Sequence, residues 1–520
     1  MLLLDIITLT TFFEGGRMIH LGIDFGTTNT VVAYELDGKY NILNFNEHSF
    51  IPSLITKYKD NYYFGFDALS LLSEKQALVI HSIKQYLHNY YHNKTLTIDN
   101  HTISIEDVLI GFFSYLKERI EVALPFDSKT GWDVIATVPA NASSQQRWIM
   151  LEAMRKAGLC VRALLNEPTA SGFEFSHYFL KGNAKEKDVY YVLIYDFGGG
   201  TFDVSLIKVK ESQYQVIGST GQNQLGGDIF DEKLFNLACE KVALDKRRLS
   251  YRQKIEGILE SRTLKESISL SRGFLQRNLN FDFENINIQS KIAKIKSNEY
   301  YEAIKPEINR TIELIEELLQ SQTIKSASLG LDSIDYIYLV GGSSKLPYVI
   351  HAIQKVFTKA KVKVSDNTFA TSALGAAIYS SKKDVKLIER FTRNFGVIRL
   401  YNGREIFDPI FPKGTELPQT ENQVTKIIRD YDPEFNIGHF KFLECSEINP
   451  DLSPSGDINL ITEIRFPYDP ELNIIENQTI ERKDLSHIRV CEEYHCDAFG
   501  IINARITRKN DGFTVGYNIN

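Results

Sequence analysis

A chain of 520 residues with 43% apolar and 24% charged side chains exceeds what one hydrophobic core organises and reads as about three compact units. Its 59 basic and 66 acidic residues leave a net charge of −7, which argues against a general nucleic-acid binder. Five scattered cysteines make no disulfide framework and predict a reducing, cytoplasmic setting, and no run reaches the ~18 apolar residues of a membrane span.

In chain order, residues 1–17 carry an apolar run without a basic leader or small-residue cleavage site, and Met18 directly precedes the first motif. They are expected to be a mis-called start or a disordered extension. IHLGIDFGTTNTVVAYEL (19–36) reads as strand, tight turn, strand, and GWDVIATVPA (131–140) as a buried strand stopped by proline. SSQQRWIMLEAMRKAGL (143–159) opens on serine caps, has helical apolar spacing and stops at Gly158; on that spacing alone Arg147 is an exposed helix residue. YDFGGGTFDVSLI (195–207) repeats the strand–turn–strand pattern. Residues 228–320 are charged and helical in period, as in YYEAIKPEINRTIELIEELL (300–319). IDYIYLVGG (334–342) is a further buried strand and PYVIHAIQKVF (347–357) a helix.

SSKKDVKLIERFTRN (380–394) is a charged joint, after which short alternating strands are broken by Gly, Pro, Asn and Asp. At the end INARITRK, an Asn510-Asp511-Gly512 turn and FTVGYNIN predict a hairpin with Phe513, Val515, Tyr517 and Ile519 on one face. Cys491 and Cys496, with His495 between them, lack a second ligand pair and read as ordinary thiols. The expected organisation is an α/β domain of two lobes over 18–380, a linker over 381–395 and an all-β sandwich over 396–520.

The chemistry concentrates in the turns. Three consecutive glycines, Gly198 to Gly200, are costly in backbone entropy and expose amides as an anion cradle. No G-x-x-x-x-G-K-S/T occurs, so this is not a P-loop. The flanking Asp24, Asp196 and Asp203 repel bare phosphate and become useful only with Mg²⁺ or its bound waters between. Read alone, each stretch is equally a tight hairpin with solvated acids. Two copies, starting at Ile23 and Tyr195 about 170 residues apart, instead suggest paired lobes gripping a metal–triphosphate from both sides. Gly341-Gly342, between a strand and a helix with Pro347 near its start, permits close ligand approach.

GIDFGTTNT, DFGGGTFD, NEPTASG, LVGGSSKLP and LGAA, in this order, resemble the ATP-site and hinge motifs of the DnaK-type 70-kilodalton heat-shock chaperones, within the wider actin and sugar-kinase fold. The resemblance is strong over 19–380. It is fainter over 395–520, where FPKGTELPQ and CDAFGIINARIT are similar to parts of the chaperones' peptide-binding sandwich. It implies an actin-like two-lobed ATPase domain followed by a β-sandwich, in a short form without the helical lid, and hence fast peptide release. It implies ATP or ADP with Mg²⁺, and K⁺ as a further cation. Gly26, Thr27, Thr28 and Asn29 would form one phosphate turn, and Gly198, Gly199, Gly200 and Thr201 the other. Gly226, Gly227, Lys265, Ser269, Gly341, Gly342, Ser343 and Lys345 would complete the nucleotide site. Asp24, Glu167 and Asp196 would hold the metal and its water. Lys84 in HSIKQYL would be the catalytic lysine, with Glu167, Thr201 and Asp203 in the chemistry. Pro139 and Arg147 would relay nucleotide state toward the linker.

The chain departs from that pattern in places. Arg262 stands where the family has an acid, Lys345 where it has an adenine-stacking arginine, and Phe369 where it has an acid before GAA. Asn141 replaces an aromatic beside Pro139. Lys and Glu within DVKLIER are expected to weaken burial of the linker. The reading that follows is an ATP-dependent chaperone that binds extended polypeptide by strand addition. Its partners would be a J-domain co-chaperone and a nucleotide-exchange factor, with no nucleic acid and no membrane, and it would act as a monomer. The alternative is a non-hydrolysing ATP-binding scaffold or exchange partner of a conventional chaperone. A small-molecule kinase is a third class, in which the C-terminal β module would have no role.

Overall fold

The structure, a computed structural model, describes residues 18–519 apart from 73, 75, 82, 88–93, 99–100, 125–130, 181–186, 212, 270–277, 289–290, 383–385, 402–403, 421 and 473–477. The leader 1–17 lies outside the described residues.

Two six-stranded sheets repeat one plan. In the first, Val161–Asn166, Trp132–Val138 and Ile19–Phe25 run parallel, and Asn29–Leu36 and Lys39–Ile42 follow antiparallel; Ile51–Pro52 pairs with Asn29–Leu36 off this path. In the second, Lys361–Val364, Tyr336–Val340 and Tyr190–Phe197 run parallel, followed by Thr201–Lys210 and Gln213–Asn223 antiparallel. The apolar runs that predicted buried strands do so because both faces are covered: Tyr336–Val340 is buried at every position. Ser143 caps the helix Ser144–Lys156 in a capping box with Gln146, and Gly158 at φ +79° lies just past its end.

The span 228–320 is not wholly helical. Between the helices Tyr251–Ser269 and Ser297–Gln320 lies an antiparallel hairpin of Asn278–Asp282 and Ile292–Lys296. Leu279, Phe281, Ala293 and Ile295 are buried at every second position, but five-residue strands leave a period too short to read beside long amphipathic helices.

The joint is also better buried than its charges suggested. Lys386–Ile388 adds to the second sheet as a parallel edge strand on Gln213–Gln215, with Leu387 and Ile388 half-buried. Glu389 is buried, and its carboxylate accepts hydrogen bonds from the backbone and side-chain amides of Asn166. Main-chain pairing tolerates any side chain on the open face, and the acid meets polar partners.

Beyond it, two four-stranded antiparallel sheets face each other. One is ordered Arg404–Phe411, Asn394–Tyr401, Ile437–Ile448, Pro454–Pro467; the other Thr425–Tyr431, Val490–Cys496, Ile502–Arg508, Phe513–Asn518. Their core holds Phe395, Phe442, Tyr494 and Ile506, and Gly512 at φ +73° sits in the final turn. This module packs on the first lobe. Phe499 and Ile501 join that lobe's core, the Ser144 amide donates to Glu444 Oε1 (3.1 Å), and Gln145 Nε2 donates to the Ile461 carbonyl (3.0 Å).

Candidate functional site

Asp24 and Asp196 occupy the same place in the two sheets, next to last in Ile19–Phe25 and Tyr190–Phe197. Each strand enters a turn closed by the same bond: the Gly26 amide donates to the Asn29 carbonyl and the Gly198 amide to the Thr201 carbonyl, both at 3.0 Å. None of Gly198, Gly199 and Gly200 has a positive φ. What Gly199 needs is room, since a Cβ there would lie 2.7 Å from Thr28 Oγ1 in the other turn. The two turns therefore meet across the cleft. Gly226 and Gly227 open the helix Gly227–Lys241 behind the second turn, and the Gly227 and Asp228 amides donate to the Gly198 and Gly199 carbonyls (3.0 and 2.7 Å). Those amides hold the turn in shape.

The carboxylates gather where the turns meet. Asp203 lies directly opposite Asp196 in the strand pair, whereas the partner of Asp24 is Val31. Glu167 begins the helix Glu167–Phe175, and Lys84, from the 3₁₀ turn Ile83–Leu87, places Nζ 2.8 Å from Glu167 Oε1. Thr137, which the sequence did not single out, donates to Asp24 Oδ1 (2.8 Å). Burial, then Glu167, raises the Asp24 carboxyl to about 6, against the opposing pull of Lys84 and Thr137. Burial and Glu167 raise Asp203 to about 7. Asp196 is pushed well up by burial and by Glu167, Asp203 and Asp24. Burial depresses the Lys84 ammonium, but Glu167, Asp24 and Asp203 outweigh it and the net shift is upward.

These oxygens suit a hard cation. Four carboxylates share one lysine, and like charges opposite each other in a strand pair destabilise it unless a cation intervenes. Among the described residues no three His, Cys, Asp or Glu side chains form a direct metal cage. The set therefore fits an ion that keeps its waters, as Mg²⁺ does.

The other end of the cleft is built around Gly341. Its φ is +79°, and a Cβ would lie 2.4 Å from the Phe197 carbonyl oxygen and 2.6 Å from Asp196 Oδ1. Gly342 faces open space, and Ser343 Oγ donates to the Gly198 carbonyl (2.8 Å). Lys265 is buried, donates to the Gly227 carbonyl (2.9 Å) and pairs with Asp231 (2.7 Å). Ser269 ends the helix Tyr251–Ser269, and its side chain lies outside the described residues. Arg262 bridges Asp228 (2.8 Å) and Asp231 (3.2 Å). Lys345 donates to the Asp366 carbonyl (3.4 Å), and Phe369 is exposed at the neighbouring turn, where the Thr368 carbonyl accepts from the Gly341 amide (2.8 Å).

Arg147 is not an exposed helix residue. It is 6% exposed, donates to Asn166 Oδ1 and faces Glu389, Glu444 and Asp497. Helical spacing could not show this, because the covering groups come from the linker and the C-terminal module. Pro139 accepts from the Ala142 amide (3.0 Å) at the cleft wall. Of this arginine's partners, Asn166 was not singled out, its only sequence signal being that it precedes Glu167, and Glu389 was expected to weaken burial of the linker but is itself buried.

Comparison with known proteins gives the family. The family model described as Hsp70 protein matches residues 20–442. The chain is 30% identical over 435 residues to a chaperone protein DnaK of Mycoplasmopsis pulmonis, covering 81% of this chain and 68% of that protein. It is equally similar over 437 residues to that of Mesomycoplasma hyopneumoniae (81% and 68%), and over 429 residues to that of Mycoplasma mobile (80% and 67%). The chain belongs to the Hsp70 family.

Proposed function

We propose that this member of the Hsp70 family is an ATP-dependent chaperone that slowly hydrolyses Mg-ATP between its two lobes to control the binding of extended polypeptide by its β-sandwich. The observation that carries the reading is the group of four carboxylates around Lys84, set between two matched glycine turns. The turn amides bind the β- and γ-phosphates of the nucleotide. Asp24, Glu167 and Asp196 would hold Mg²⁺ through its waters, and the ion, when bound, would supply charge neutralisation at the phosphates. Lys84 offsets the charge that develops during transfer. Thr201 and Asp203 orient the attacking water. Its oxygen bonds to the terminal phosphorus as the bridging bond to ADP breaks, and Asp203 takes the proton.

Gly341, Gly342, Ser343, Lys345, Lys265 and Ser269 receive the nucleoside. Pro139 and Arg147 pass the state of the cleft to the linker through Asn166 and Glu389. We take 18–380, 381–395 and 396–520 as the working units. A J-domain co-chaperone and an exchange factor are the expected partners, the monomer the expected form and the cytoplasm the expected location. All five cysteines are free thiols, which supports a reducing compartment.

A second reading has one observation in its favour. Arg262 and Lys345 are engaged by Asp228, Asp231 and Asp366, which weakens nucleoside binding and suits a scaffold or exchange partner. ATP turnover with and without an extended apolar peptide decides between them. The chaperone reading expects peptide stimulation and a loss of roughly 100-fold in Lys84→Ala and Thr201→Ala. Equal rates in all three proteins would overturn the site assignment, and faster nucleotide release from a second chaperone without peptide binding would favour the scaffold.

A further inference from the structure

The γ-phosphate end of the cleft opens into a cavity of about 910 Å³ whose far wall is made by the C-terminal module. Thr27, Lys84, Glu167, Thr201 and Asp203 border its inner end; Thr392, Arg393, Lys413, Ser446 and Glu447 border its outer end. None of Gly341, Gly342, Lys265 or Lys345 borders it.

Between the two ends the wall is rich in hydrogen-bonding groups, Asn141, Gln146, Ser219, Thr220 and Gln222, and also carries Lys94 and Glu317. Here the lobes touch, with Ser219 Oγ donating to Asn141 Oδ1 at 3.2 Å. Asn141 comes from the turn after Pro139 and Ser219 from the strand Gln213–Asn223, so this one bond spans the waist. At the outer end Arg393 is tied to Asp457 (2.6 Å), and Lys413, facing Glu447, makes no ion pair among the described residues.

We propose that inorganic phosphate formed in the cleft leaves through this cavity, past the Asn141–Ser219 contact and out beside Lys413, so that the docked β-sandwich controls product release. The inference rests on the ATPase reading. A phosphate dianion is repelled by the carboxylates behind it, meets the hydrogen-bonding side chains of the waist and reaches Arg393 and Lys413 at the mouth, where Lys413 shares Glu447 and Arg393 is tied to Asp457. The nucleoside diphosphate, held by turns that touch at Gly199 and Thr28, cannot follow it. Hydrolysis and phosphate release then become separate steps, and the second depends on contacts made by the C-terminal module.

A single turnover of the full chain with Mg-ATP tests this. ADP formation is followed by chemical quench and free phosphate by a fluorescent phosphate-binding reporter. Asn141→Tyr fills the waist and Lys413→Glu reverses the charge at the mouth; each is expected to slow phosphate release by about fivefold with the hydrolysis rate unchanged. The unchanged hydrolysis rate also shows that the variant is folded. Phosphate release keeping wild-type pace in both variants would overturn the route. Absence of ADP formation in the wild type would overturn the ATPase reading instead, and this inference with it.

Discussion

The two turns follow one backbone plan, and among the positions where they differ the cross-strand partner of the aspartate matters most. Each follows the central strand of its sheet, each is closed by a 3.0 Å amide–carbonyl bond, and each has an aspartate just before it. Opposite Asp24 stands buried Val31; opposite Asp196 stands Asp203. The first turn is therefore a stable hairpin with one acid at its edge. The second holds two acids face to face and gains from a bound cation. The shared plan supplies the scaffold, and the cross-strand partner, Val31 or Asp203, makes the two acids chemically unequal.

The largest expected effect comes from erasing that inequality. Val31→Asp sets an acid opposite Asp24 as Asp203 stands opposite Asp196, but Val31 is 2% exposed among Ala370, Ala373 and Leu374. It should cost about 3–5 kcal/mol of stability, read by denaturant unfolding. A cost below about 1 kcal/mol would mean that the first turn accepts a second acid. The reverse change, Asp203→Asn, makes the second turn resemble the first. Turnover should fall roughly 10–100-fold while the nucleotide-free protein gains up to about 1 kcal/mol, because the cross-strand repulsion is gone. Losing both activity and stability would refute the idea that the paired acids are a strain relieved by ligand.

Glu174 sharpens the comparison as a buried acid outside both turns. Tyr338 donates to it, Ser365 donates at 3.4 Å, Asp366 repels it, and burial raises its carboxyl from 4.5 to about 7. Its neutral form is favoured in the fold, so its contribution is complete below 4.5 and lost as pH rises through about 7. The thermal midpoint of the wild type minus that of Glu174→Gln should fall by a few degrees between about pH 5 and about pH 8. Mg-ATP should leave that difference in place while flattening the pH dependence contributed by the turn acids. The smallest effect is at the nucleoside end, where Lys345→Arg should lower the KM for ATP about threefold with kcat unchanged, through better stacking on the base.

Much of the phosphate side was legible because the turns are local. A strand, an Asp-Phe-Gly step and small residues closed by Asn29 or Thr201 specify their own geometry within ten residues, and repetition made the pattern conspicuous. Lys84 was legible only through resemblance, since a lone lysine on a short turn carries no signal of the acid 83 positions away that meets it. The hairpin at 278–296 was missed because its strands are short. The burial of Arg147 and Glu389 was missed because their partners are distant in sequence.

The sequence by itself determined the two turns, the capped helices, the alternating strands of the C-terminal module and the family. Each of these follows from local periodicity, capping or a contiguous motif. Tertiary structure alone decided which acids face one another, where the linker's charges go and what closes the far end of the cleft. Those outcomes depend on burial and on electrostatic neighbours brought together from separate lobes. Asp203 thus became an acid raised to about 7, and Arg147 a buried cation, only when the chain had folded around them.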